Sequence, residues 1–203
     1  MVRPSTGTAG AEPAAGRPRP TPDDAFRLAR RRWLAPARID MGALADELGV
    51  NRVTLYRWVG SRDDLLVEVV WQLAGRSLAQ ADDEARARGA SGAERIVATV
   101  TGFLEIVIAS PGLQRWLAEE GEHAMRLLTR HDTRFQPRLI DAIHELLREE
   151  DDAGRLALGV EVDLHEVAYV IVRLIESYTY LDLITGERPD ARRAEPILRL
   201  LLR

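Results

Sequence analysis

The stretch Met41 to Leu66, MGALADELGVNRVTLYRWVGSRDDLL, decides the fold. Met41, Leu44, Ala45 and Leu48 recur at the spacing of one helix face. Gly49 follows where a helix end needs a residue tolerant of positive φ. Asn51 is a good N-cap, and Val53, Leu55, Tyr56 and Val59 supply a second short helix. Small Ala45 lets the two helices approach, while Leu44, Leu48, Val50 and Leu55 can fill a shared core. The pattern is a helix-turn-helix, whose second helix lies in a DNA major groove. A third, longer helix begins at once, with Ser61 and Asp64 forming a capping box.

Working outward, Thr21-Pro22-Asp23-Asp24 starts a helix that runs to about Leu34, with Ala25, Phe26, Ala29 and Trp33 on its apolar side. Arg27, Arg30 and Arg31 lie opposite, where a solvated face and phosphate contact are equally good readings. The helix that begins near Arg62 extends to about Arg88. Gly89 to Gly92 breaks it, and further helices are expected to Ala109, from Ser110-Pro111 to Thr129, and from about Thr133 to Glu150. Glu149 to Gly154 reads as a solvated connection. Asp163 caps a long helix to about Ile184, and a last helix follows Thr185 to Pro189. No strand-period segment or repeat stands out, so the expected class is all-α.

The chain of 203 residues holds no cysteine, which excludes disulfides, thiol chemistry and Cys-based zinc sites. All 28 basic residues are arginine. The net charge of −4 hides an asymmetry: ten arginines face six acids through Gly60, and 18 face 26 beyond it. A basic amino-terminal module on an acidic body fits a chain that meets phosphate at one end. The first 20 residues lack the apolar run of a signal peptide and read as a disordered tail. Arg17-Pro18-Arg19-Pro20 is either a solvated segment or a minor-groove arm. Ala168 to Ile184, the most apolar late stretch, contains Arg173, Glu176 and Asp182, which argues against a membrane span.

Leu55-Tyr56-Arg57-Trp58-Val59-Gly60-Ser61-Arg62, followed by two acids and Leu65-Leu66, resembles the DNA-binding signature of TetR-family transcriptional regulators. The resemblance covers the chain from about Pro22, and its specific motifs lie roughly between residues 23 and 70. The runs Arg30-Arg31-Arg32-Trp33-Leu34 and Ile39 to Ala45, with Leu55 to Arg62, are also similar to the actinobacterial subgroup that controls quorum-signal lactone degradation. The sequence departs from the family where Pro36-Ala37-Arg38-Ile39-Asp40 replaces the usual Gly and paired Thr, and where Arg62 replaces a Lys.

Beyond the tail at 1–20, the resemblance implies a helix-turn-helix domain at 21–68 and a ligand-binding and dimerisation domain at 69–203. Arg52 and Arg57 can pair with guanine or phosphate, Val53 can touch a thymine methyl, and Thr54 and Tyr56 suit phosphate oxygens. Arg62 at a helix start joins them, and Trp58 either packs beneath the helix or meets the DNA backbone. The partner is then double-stranded operator DNA, read by a homodimer as a pseudo-palindrome with half-site centres roughly 34 Å apart or a multiple of it. No cofactor is expected. The expected address is the bacterial cytoplasm, at the nucleoid when bound.

The family also implies a ligand cavity in the carboxy-terminal helices. Its candidate wall is Trp71, Phe103, Val107, Trp116, Phe135, Ile143, Tyr169, Leu174 and Tyr178, although for each one alone core packing is the better reading. Arg173, Glu176 and Tyr180 share a helix face, and Arg173 with Glu176 is either a ligand-head site, a surface pair or a dimer contact. A small, largely apolar effector suits this inventory, and the subgroup points to lactones. Two stripes, Val167 to Leu181 and Ile197 to Leu202, can close a four-helix dimer interface or line an internal core. The expected interface residues are Val170, Ile171, Ile175, Leu181, Ile197, Leu198 and Leu201. A competing reading places a metal site on Glu120/His123 and Asp141/His144; another is a constitutive DNA binder without effector. Neither a nucleophile elbow nor a phosphate loop occurs, so an enzyme is not expected.

Overall fold

Local capping sets the helix boundaries. The computed structural model describes residues 19–35, 37–158 and 162–203. Arg17, Pro18 and the rest of the expected tail before Arg19 lie outside them, as does Pro36. Helix α1 spans Pro22–Leu34 and starts on a Thr21–Asp24 capping box. Helix α2, Met41–Leu48, is capped by Asp40, whose carboxylate accepts the Ala43 N–H at 2.8 Å. It ends at Gly49, whose φ of 68° lies in the left-handed region. Helix α3, Arg52–Val59, starts on Asn51, which accepts the Thr54 N–H at 2.7 Å. Gly60 then turns the chain with φ 72° and ψ −150°, into a Ser61–Asp64 capping box at the head of α4, Arg62–Ala87. A Cβ on Gly60 would lie 2.7 Å from the Asp64 carboxylate, so the turn and the cap both require glycine.

The remaining helices are α5 (Gly92–Ile108), α6 (Pro111–Thr129), α7 (Phe135–Asp152), α8 (Leu164–Thr179), α9 (Leu181–Thr185) and α10 (Glu195–Leu201). Among the described residues there is no strand, and no single helix is long and apolar enough to cross a membrane. Helices α1 to α3 form a head whose core holds Leu28, Trp33, Ile39, Leu44 and Leu55, closed beneath by Leu65 and Leu66 of α4. The rest of α4 packs along α5, and α7 packs along α8. Small residues permit the first of these approaches: a Cβ on Gly102 would sit 3.3 Å from that of buried Ala81.

Two expectations change here. The helix expected from Asp163 to Ile184 breaks at Tyr180, whose φ of −105° and ψ of 21° separate α8 from α9. Tyr180 is 4% exposed, so core packing of its ring fixes the break. Glu149 and Glu150 belong to α7 rather than to a solvated connection. Glu150 is 1% exposed and bonded to Arg95 at 2.5 Å, to Arg155 at 2.6 Å and to the Gly92 N–H at 2.7 Å. Arg95 also reaches Asp82 and Glu149, so one buried guanidinium ties together α4, α5 and α7. The Glu150 carboxyl is held down to about 2 by Arg155 and Arg95 despite its burial.

Candidate DNA-binding surface and ligand cavity

The short α3 buries only Leu55 and Val59. Its other face carries Arg52, Val53, Tyr56 and Arg57 into solvent, with Val53 78% exposed. This face sets two guanidinium groups and a phenol hydroxyl beside an exposed aliphatic side chain. Thr54 and Trp58 are half-buried, and Trp58 packs against the head core. Arg52 crowds Gly42 of α2, close enough that any Cβ there would collide with its guanidinium.

Arg62 is placed differently from the sequence expectation of a DNA contact. Its guanidinium makes two bonds to Glu120 of α6, at 2.9 and 2.6 Å, and donates a third to the Ile39 carbonyl at 3.0 Å. That fork geometry suits Arg rather than Lys. Its neighbour Asp63 meets His123, one helical turn along α6, at 3.0 Å. Arg126 donates to Nδ1 of the same ring, so Nε2 carries the proton given to Asp63. Glu120 itself has non-helical φ/ψ of −138° and 37°, a kink within α6. The Arg62 hydrogen bonds hold its carboxyl below the ordinary range.

Glu120 and His123 therefore serve as partners for the first turn of α4. Asp141 is exposed, and the His144 ring stacks edge-on against His165 at 5.6 Å. Among the described residues no three His, Asp or Glu side chains are grouped to hold a metal. The i, i+3 spacing that suggested a metal site instead matches two adjacent residues at a helix start.

A cavity of about 340 Å³ lies in the body, within the size range of small-molecule sites. Helix α4 contributes Val70, Leu73, Ala74 and Ser77; α5 contributes Phe103, Ile106 and Val107; α7 contributes Phe135 and Leu139. Ile175, Glu176, Thr179 and Tyr180 close one side, and Leu113 and Leu128 of α6 another. Of the expected wall, the structure brings Phe103, Val107, Phe135 and Glu176 together here. Trp71 stands outside it, under the Arg138 guanidinium and against the Phe135 ring. Trp116 and Ile143 are buried in the core, and Leu174 packs against it. Tyr169 is 42% exposed on the outer face of α8 with Arg173 near its ring, and the Tyr178 hydroxyl donates to the Arg193 carbonyl. Helical period groups residues by face but leaves open which face meets the void.

Sequence reasoning missed Trp33 and Leu34, which carry the head into the cavity wall. The Trp33 ring meets Trp116 edge-on at 5.4 Å, and Gly112 packs so tightly that a Cβ would lie 2.6 Å from the Trp33 carbonyl oxygen. Nothing local in the sequence links Trp33 to Gly112, far along the chain, so the contact is visible only in the fold. Burial pushes the Glu176 carboxyl up to about 7 and raises the Tyr180 phenol.

A family model described as "Tetracyclin repressor-like, C-terminal domain" matches residues 91–203. The chain belongs to the TetR family. The solved TetR-family repressor QsdR from R. erythropolis is 28% identical, with a TM-score of 0.78 over 89% of this chain and 93% of that one. The curated regulator BetI of Agrobacterium fabrum is 26% identical over 179 residues, 80% of this chain and 86% of BetI. FadR from Bacillus subtilis, solved with stearoyl-CoA, shares the fold at 13% identity and a TM-score of 0.58, over 88% of this chain and 96% of that one. This TetR-family chain is thus a transcriptional regulator by kinship, and its relatives are named as regulators rather than enzymes.

The outward apolar side chains of this TetR-family body differ from the expected interface set. Ile171, Ile175 and Leu198 are 0%, 3% and 0% exposed, so they are core and have no surface to offer a partner. Leu181 and Leu201 are half-buried. Val170 and Ile197 do face outward, together with Leu200 at 66%.

Proposed function

We propose that this chain is a dimeric repressor that reads a pseudo-palindromic operator through α3 and leaves it when a small, largely apolar effector fills the body cavity. The observation that carries this reading is the double role of Trp33. It belongs to the DNA-binding head, and it lines the cavity. A ligand that displaces Trp33 or the start of α6 acts on the head by direct contact, and the Arg62–Glu120 and Asp63–His123 pairs carry the same movement to the start of α4. The size of the response is bounded by the effector's preference for one geometry over the other.

The working division is a helix-turn-helix domain at 21–68 and a ligand-binding and dimerisation domain at 69–203, acting in the cytoplasm. The exposed Val170, Ile197 and Leu200 support a two-fold interface of α8 and α10. A lactone is the effector class favoured by the resemblance of residues 30–62.

Operator selection from random DNA with the purified chain tests the reading, with Arg57→Ala as the control. A short palindrome that is lost in the variant is the expected result. No enrichment over random DNA rejects the repressor.

A further inference from the structure

The cavity wall is apolar apart from Ser77, Ser110 and a buried polar cluster on α8. There Glu176 and Thr179, three residues apart on α8 and each 6% exposed, both line the void. The Thr179 hydroxyl has no hydrogen-bond partner, and the Glu176 carboxylate is ion-paired through Oε2 with the Arg173 guanidinium. Buried polar atoms without partners are uncommon because each loses its water and gains nothing in return. One such hydroxyl, beside a buried carboxylate in a mostly apolar void, marks a place where a polar group belongs.

Glu176 and Tyr180 also line a second hollow, whose other residues include Glu122, Arg126, Arg130 and Arg173. Glu176 is thus the partition between the apolar cavity and a charged recess. The arginines of that recess are already engaged: Arg173 with Glu176, Arg126 with His123, and Arg130 with Asp132.

We infer that Glu176 and Thr179 form the head-group subsite of the cavity and select an uncharged amphiphile whose polar end donates a hydrogen bond, an alcohol or an amide, so that a lactone is taken only if it also carries such a donor. This inference rests on the ligand-cavity reading above. An ionised carboxylate only accepts, so any ligand group that meets a lone pair left free beside Arg173 must donate, while the threonine hydroxyl can donate to the same head in return. An anionic head would bring a second negative charge beside Glu176, whose Arg173 partner is already engaged. An ammonium head would need a full counter-charge, which a carboxyl buried against α7 Gln136 and Tyr180, and held up to about 7, supplies only in part near neutrality. A hydroxyl or amide can accept from Thr179 and donate to a remaining lone pair of Glu176 without bringing a charge into the void.

The test uses the full chain with three probes of equal tail length, 1-decanol, decanamide and decanoic acid, measured by calorimetry at about pH 8, where the acid is ionised. The alcohol and the amide are expected to bind roughly tenfold or more tighter than decanoate. Glu176→Gln should shrink that preference, and Thr179→Val should weaken the alcohol and the amide alone. Ala74→Trp, with Val107→Phe as a smaller block, should abolish all binding. Decanoate binding as well as decanol, or a preference that survives Glu176→Gln, overturns the inference while leaving the cavity reading intact. Failure of all three probes to bind, or binding that ignores both blocking variants, overturns the two together.

Discussion

Arg62 and Glu120 stand 58 residues apart in the chain and meet through two hydrogen bonds, of 2.9 and 2.6 Å, that join the first turn of α4 to the kinked middle of α6. The pair is partly shielded, with side chains 25% and 22% exposed, which places it above an ordinary surface ion pair in strength. Arg62→Ala and Glu120→Gln should each cost about 1–3 kcal/mol and show non-additive coupling in a double-mutant cycle. In the operator assay the single variants should need more effector for release. Unchanged effector response in both variants would show that the pair only braces the fold. Because the Glu120 carboxyl is held below its ordinary value of 4.5, the pair's contribution is complete above that pH. It is lost only as pH falls through the lowered value.

Gly112→Ala should separate α1 from α6. The added methyl would lie 2.5 Å from the Trp33 indole nitrogen and 2.6 Å from its carbonyl oxygen, and the backbone side cannot yield by a rotamer change. A loss of about 1–3 kcal/mol in urea unfolding is expected, with a shift in the fluorescence of the Trp33–Trp116 pair. Wild-type stability and spectrum in the variant would mean that the approach relaxes freely.

Gly60→Ala is expected to damage DNA binding without touching any DNA-facing side chain. At φ 72° and ψ −150° a Cβ is strained, and it would also press on Asp64, which caps α4. A cost of about 1–3 kcal/mol and weaker operator binding should appear together. Asp64→Ala, which removes the bond from the Ser61 N–H and keeps both the Ser61 cap and the glycine, should lose about 1 kcal/mol.

Ile197→Glu with Leu200→Glu should convert a dimer to monomer in sedimentation, because both side chains face outward. Helicity should persist, since neither supports the core. A dimer that survives both charges would move the interface elsewhere. Ile171→Glu, at a fully buried position, should instead unfold the body.

Glu176 gives the pH dependence of stability an unusual sign. Its folded value of about 7 lies above the ordinary 4.5, so between these values the folded chain holds a proton that the unfolded chain releases. Stability from this group should therefore fall as pH rises from about 4.5 to about 7, by on the order of 1–3 kcal/mol, and then level off. The slope should vanish in Glu176→Gln when denaturant melts are compared across that window.

The helix-turn-helix was legible because its signals are local. Thr21, Asp40, Asn51 and Ser61 each bond a backbone N–H three residues on, and Gly49 and Gly60 supply conformations that other residues resist. The exposed face of α3 followed from the same short range. The cavity was legible only in part, since Phe103 and Phe135 look no different in sequence from Trp116, which is core.

Sequence alone determined the all-α class, the head and the caps, because helical period and capping act over three or four residues. Only the tertiary structure decided that Arg62 serves Glu120, that Glu150 serves Arg95, that Trp33 borders the cavity, and that Ile171 turns inward while Val170 turns out. Those outcomes depend on which helices meet and at what rotation. Neighbouring apolar residues on one stripe differ in position by less than one turn, and packing against α5 and α7 settles which of them loses its water.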